Sequence, residues 1–197
     1  MRMTSVDKLT QLALQGEEWK GWYDTAHISI TEWCLANDVD LLHFVAVLAI
    51  ISPRMSVGKN VSLAKAYFVA LKANGSEVDT HRHVPGLIGK THRRALEKYE
   101  HSGTIDGRKT KAFADALLGN GNAIVLDTHM ATALGVNQDK LTKNKRVFTK
   151  ACDRVTAVAK RLQWTPAEVQ AAIWTTVYKS THTKKFLESN GRIEDYL

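Results

Sequence analysis

Residues 41–51 read LLHFVAVLAII, apolar on nearly every helical face, and the run stops at Ser52-Pro53. An α-helix without a polar face cannot lie on a surface, so the segment predicts a central helix that other elements must wrap. Proline ends it, because its ring nitrogen has no amide hydrogen for the helical ladder. Asp38 or Asp40 supplies the start, since either carboxylate can accept from the free amides of a first turn. The run is too short to cross a bilayer.

The flanking chain has helical periodicity as well. Residues 5–20 and 25–36 predict two helices before the apolar run. SVGKNVSLAKAYFVALKANG predicts the next one through Val61, Ala64, Tyr67, Phe68 and Leu71, ending at Asn74-Gly75. Residues 76–90, with Pro85, Gly86 and Gly89, read as a loop, and THRRALEKYE as a helix broken at Gly103. A helix over 109–118, a turn at 120–122 and a brief extended AIVLD follow, then a helix or turn at THMATALG and a long basic amphipathic helix through 140–162. WTPAEVQAAIWTTVYK is the sharpest start in the chain. Thr165 is the N-cap, Pro166 fits the first helical position, and Glu168 completes a capping box. Sustained β-alternation, internal repeats and low-complexity tracts are lacking. The expectation is an all-α protein of roughly eight to ten short helices, a single compact unit over 1–197 whose core can be shared between two lobes.

Twenty-seven lysines and arginines against 20 acidic residues give a net charge of +7, a bias toward an anionic partner. Cys34 and Cys152 are distant in sequence and form no CxxC, which argues against a disulfide framework and against a four-cysteine metal site. The N-terminal MRMTSVDKLTQLALQGEEW lacks the apolar core of a signal peptide, so a cytoplasmic location without membrane contact is expected.

The densest chemistry lies in IDGRKTKAFADALLGNGNAIVLDTHM, residues 105–130. Lys109 stands at one helix start, where the positive end of the helix dipole favours the neutral amine that a nucleophile needs. Asp127 stands before another, where backbone amides favour a carboxylate. An amine beside a carboxylate suits attack on a sugar carbon that develops positive charge. A surface lysine and an ordinary N-cap aspartate are the plainer alternative.

GRKTKAFADALLGNGNAIVLDTHM resembles the signature region of the helix-hairpin-helix DNA glycosylase superfamily, most nearly the 8-oxoguanine glycosylase branch. There a glycine-rich hairpin leads into a helix bearing a catalytic lysine, and a segment with a catalytic aspartate follows. The resemblance places the nucleophile at Lys109, its partner at Asp127, the accompanying histidine at His129 and the last hairpin glycine at Gly107. It implies a glycosylase-like helical fold with two closely packed lobes. LAIISPRMSVGKNVSLAKAYF and TPAEVQAAIWTTVYK are similar to helices that border the extruded base in that family. Ser52 is thereby a contact to a base edge, Arg54 to a phosphate, and Asn60 a polar residue fixing their turn; Gln170 and Trp174, four positions apart on one face, offer an amide and an aromatic surface. Each has a plainer reading: Ser-Pro ends a helix, Asn60 caps the next, and Trp174 packs in a core.

The match departs from the family at the hairpin, where Gly103-Thr104-Ile105-Asp106-Gly107 puts a carboxylate near the expected phosphate. Asp106 opposes an anion there unless a cation intervenes. No cofactor is required, although the hairpin leaves room for a monovalent cation. VPGLIGKTHRRALEKY copies the glycine pattern more closely but has one residue too many between its glycines, and the spacing to Asp127 favours Lys109 over Lys90. Lys90, His92, Arg93 and Arg94 make it a second candidate phosphate-facing loop. His81, His83 and His92 lack the acidic partners of a metal site. Lys140, Lys143, Lys145, Arg146 and Lys150 form a basic surface suited to a nucleic-acid backbone, or simply a solvated helix face.

The resulting expectation is a DNA N-glycosylase, with or without lyase activity, acting on duplex DNA with a flipped nucleotide and needing no obligate protein partner. A base- or nucleotide-modifying enzyme on the same fold, and a non-catalytic DNA-binding protein, remain the alternatives.

Overall fold

The structure, a computed structural model, describes residues 3–75, 78–189 and 191–197, with the side chains of 81 and 181–189 outside the description. It is all-α: among the described residues there is no strand. The helices are α1 (Val6–Gln15), α2 (Trp22–Ala36), α3 (Leu41–Ile51), α4 (Val57–Asn74), α5 (Thr80–His83), α6 (Arg94–Ser102), α7 (Arg108–Leu117), α8 (Thr128–Ala133), α9 (Gln138–Lys143), α10 (Lys145–Leu162) and α11 (Pro166–Ser189). Among the described residues, no helix is long and apolar enough to cross a membrane. The chain divides into two compact units, one of residues 1–25 and 115–186, the other of 26–114 and 187–197. Cys34 falls in the second and Cys152 in the first, both as free thiols.

In the second unit α3 is the buried helix that its composition demands. Every residue from Phe44 to Ile51 is buried, and the helix packs against α4 and α6. Asp40 is the N-cap, its carboxylate accepting from the His43 amide at 2.7 Å. Phe44 lies between Trp33 and Phe68, with ring centroids 4.7 and 5.5 Å away. At the other end, Asn60 of α4 donates through Nδ2 to the Leu48 carbonyl at 3.0 Å and Ser52 Oγ donates to that of Ala49 at 2.9 Å. The first supplies a donor to a carbonyl of the last turn, and the second adds to the Ser52 amide, which already donates to Ala49 O at 3.3 Å. The N-cap of α4 is Ser56, not Asn60. Glu100 of α6 accepts at Oε1 from Tyr67 Oη (2.8 Å) and bonds His43 Nε2 (2.7 Å), tying α3, α4 and α6 together.

The sequence expectation needs correcting in places: the one helix expected through 140–162 is two, α9 and α10, because Asn144 caps both, and the helices number eleven among the described residues where eight to ten were expected. The stretch read as a loop contains the single turn α5, too short for a periodicity to register, and Gly89–Arg93 forms a π-helical turn before α6. A π turn holds more residues per turn than an α turn. This one begins at Gly89, the second glycine of the VPGLIGKTHRRALEKY pattern. The C-terminal residues dock on α4: Lys65 Nζ donates to the carbonyls of Tyr196 (3.2 Å) and Leu197 (2.8 Å). The Tyr196 ring lies where a Cβ on Gly58 would stand, 2.5 Å from it.

In the first unit one cluster of buried side chains joins α1, α8, α9, α10 and α11, with Leu9, Met130, Leu134, Leu141, Val155 and Ile173 near its centre. The capping box at α11 is formed in both directions, Thr165 N donating to Glu168 Oε2 (2.6 Å) and Glu168 N to Thr165 Oγ1 (3.2 Å). Ala167 N donates to Gly121 O at 2.9 Å, which ties the 120–122 turn to the start of α11. The segment 123–127 then runs without a partner strand, held by burial of Ala123, Val125 and Leu126.

The end of α1 approaches α11 closely: a Cβ on Gly16 would sit 2.2 Å from the Ala172 carbonyl oxygen, whereas one on Gly21 would meet nothing within 4 Å. Gly16→Ala should therefore cost about 1–3 kcal/mol through overpacking against backbone. Gly21→Ala should be neutral or stabilise by about 0.5 kcal/mol through the unfolded chain. Urea unfolding of the two variants side by side measures the difference.

Candidate functional site

Asp127 is the N-cap of α8, with the extended backbone that the position requires (φ −107°, ψ −166°). Its Oδ1 accepts from the Met130 amide at 2.9 Å and its Oδ2 from the indole Nε1 of Trp174 at 2.8 Å. The carboxylate is thus fixed from two sides, by backbone on its own helix and by a side chain on α11. Trp174 stacks on Tyr178 (centroids 4.8 Å apart, planes 19° apart). His129 stands edge-on to both, 5.6 Å from Trp174 and 4.8 Å from Tyr178. One turn earlier on α11, buried Gln170 accepts through Oε1 from the Tyr23 hydroxyl at 2.7 Å. Burial raises the Tyr23 hydroxyl above its ordinary range and the charge of Asp127 raises it further, so Tyr23 stays a neutral donor.

This unit therefore brings together Asp127, His129 and Trp174, with Gln170 on the same helix. Tyr23 and Tyr178 were missed by sequence reasoning. Tyr178 extends the four-residue spacing Gln170, Trp174, Tyr178, a signal present in the sequence; the Tyr23 contact spans 147 positions and had none.

The second unit holds Ser52, Arg54, Asn60, Gly107 and Lys109. Ser52 to Met55 is a tight turn, Met55 N donating to Ser52 O at 3.1 Å, with Pro53 leading and Arg54 at φ +64°. That conformation favours glycine or asparagine, and arginine occupies it at a cost. The turn is clamped by fully buried His92: the Ile88 amide donates to Nδ1 at 3.1 Å, leaving Nε2–H to donate to Pro53 O at 2.9 Å. With both ring nitrogens engaged, His92 has none for a metal; His81 lies outside the described side chains. Burial lowers the affinity of His92 for a proton, the bond to Pro53 opposes that, and the charge of Arg54 adds to it.

Asn60 is buried, with Nδ2 bonded to Leu48 and, among the described residues, no hydrogen-bond partner for Oδ1. Gly107 has φ +85°, a conformation that favours glycine, immediately before α7. Lys109 is the second residue of α7 and half-buried. Asp106 pairs with Lys98 Nζ at 2.5 Å, so a cation does accompany that carboxylate.

A model of a family of unknown function, DUF7178, matches residues 10–182. The chain belongs to this family. No curated protein and no solved structure matches the chain. The DUF7178 match spans all of the candidate residues, from Ser52 to Trp174.

Two variants probe these geometries. Trp174→Phe keeps a ring against Tyr178 but removes the donor to Asp127, and should cost about 1 kcal/mol in denaturant unfolding. His92 binds a proton less readily folded than unfolded, so unfolding takes up protons in acid. Its contribution is present above about pH 6.5 and is lost as pH falls below that value. His92→Gln should flatten the slope of stability against pH between about 7 and 5, measured as the difference from the parent chain.

Proposed function

We propose that the chain is a DNA N-glycosylase acting on a flipped damaged or modified base, with Lys109 as nucleophile and Asp127 as its carboxylate partner. The observation that carries the reading is the fixed Asp127 carboxylate, held by the Met130 amide and the Trp174 indole beside the stacked Trp174–Tyr178 pair. A carboxylate that need not reorganise can stabilise positive charge developing on a deoxyribose ring. Aromatic faces suit an unstacked base, and flipping is required because the glycosidic carbon is out of reach in a stacked duplex. The Lys98–Asp106 pair supports the same reading, since it offsets the one charge that disfavours a phosphate at the hairpin.

In this reaction the Lys109 amine, having given up its ammonium proton, attacks C1′, the C1′–N bond breaks, and the base leaves with its electron pair and takes up a proton. Ring opening gives a Schiff base between Lys109 and the sugar. Loss of a C2′ proton then permits β-elimination of the 3′ phosphate, while hydrolysis releases the intact abasic strand. On this reading the chain acts in the cytoplasm.

Borohydride reduction traps a Schiff base as a stable amine. With an oligonucleotide panel of damaged and hypermodified bases, the parent chain should give a covalent adduct on at least one duplex, and Lys109→Gln none. Asp127→Asn should slow adduct formation by about 10²-fold or more. Tight binding across the panel with no adduct and no released base would leave a DNA-binding protein without this chemistry.

A further inference from the structure

Helices α9 and α10 meet at one residue. Asn144 is the C-cap of α9 and the N-cap of α10, its side chain accepting from the Val147 amide at 3.1 Å. The corner between them is an open groove of about 550 Å³, lined by Lys140, Lys143, Lys145, Arg146, Asn144 and a single carboxylate, Asp139. Among the described residues, none of these four cations, nor Lys150 one turn further along α10, makes an ion pair. Lys20, Lys98, Arg161 and Lys179 do, each with a nearby carboxylate.

The placement is unfavourable for the chain alone. Lys145 and Arg146 stand in the first turn of an 18-residue helix that has no acidic residue there. Cations at that end oppose the helix dipole, where aspartate or glutamate would stabilise it. Four cations converging on one groove repel one another as well. A local choice that works against stability without an internal compensation marks a surface shaped by a partner. The partner must carry closely spaced negative charge, because every lining residue is polar or charged and four of the six are cations.

Resting on the DNA reading above, we infer that the α9–α10 corner is a second contact with the DNA backbone, separate from the Asp127 cluster, which grips phosphates irrespective of sequence. From Arg146 to Lys150 the helix rises about 6 Å, close to the advance of two phosphates along one strand at about 3.4 Å each. The corner therefore presents cations to a run of phosphates, and it sets affinity and register while the base contacts lie elsewhere.

The test is anisotropy of the full chain on an unmodified duplex across a salt series. The quadruple variant Lys140→Gln, Lys143→Gln, Lys145→Gln, Arg146→Gln should bind at least 10-fold more weakly, with a salt slope reduced by about 3. Lys145→Glu alone should also weaken binding while raising Tm by about 1–3 °C, because it places an acid where the helix favours one. Higher stability with lower affinity excludes misfolding as the cause.

Equal affinity and equal salt slope in parent and quadruple variant would overturn the inference. So would a parent that binds vesicles containing phosphatidylserine but not the duplex. A parent that binds DNA through this corner yet forms no adduct leaves the surface standing and removes only the glycosylase reading.

Discussion

The terminal carbonyls of α3 set the terms for much of the second unit. A helix buried on every face has no water to receive the acceptors at its C-terminal end, so protein must supply donors. Asn60 and Ser52 do so for Leu48 and Ala49, and His92 then anchors the Pro53 carbonyl just beyond. Each donor fixes something else in turn. Asn60 sets where α4 begins to pack, and His92 sets the path of the π turn that leads into α6. The left-handed Arg54 is held between these constraints, in a turn that cannot relax without uncapping the helix behind it.

The first unit solves a similar problem around a single carboxylate. Asp127 ends a segment that pairs with no strand, and its position depends on the tie between Gly121 and the start of α11 as well as on its own cap. Because Trp174 donates to it from α11, the carboxylate and the aromatic pair form one assembly. Tyr23 and Gln170 form a second buried pair one turn away. A polar group buried with its partners satisfied holds orientation well, and the loss of one partner leaves the other stranded.

Local chemistry made many of these elements readable in the sequence. The uniform apolar run of α3, the Asp40 and Asp127 caps and the Thr165–Glu168 box rest on contacts within four residues, where a linear pattern carries the information. What escaped was short or distant. α5 is less than two turns long, the Tyr23–Gln170 bond closes over 147 positions, and the His92 clamp joins the π turn to a turn 39 positions earlier. Asn60 was expected near its turn, but its bond to a carbonyl inside α3 depends on how two helices pack. Trp174 was read as a base contact or a core residue, and its indole donates to Asp127 as well, a pairing that neither spacing nor periodicity encodes.

The shared cap at Asn144 gives the basic corner a mechanical character. Most adjoining helices are separated by several residues, and that slack lets their angle drift. Here one residue does both: the Asn144 amide donates to Lys140 O and closes α9, while its side chain accepts from Val147 N and opens α10. With no linker residue but this one between the two helices, the spacing of the cations on either side of the corner follows from the backbone at Asn144 itself.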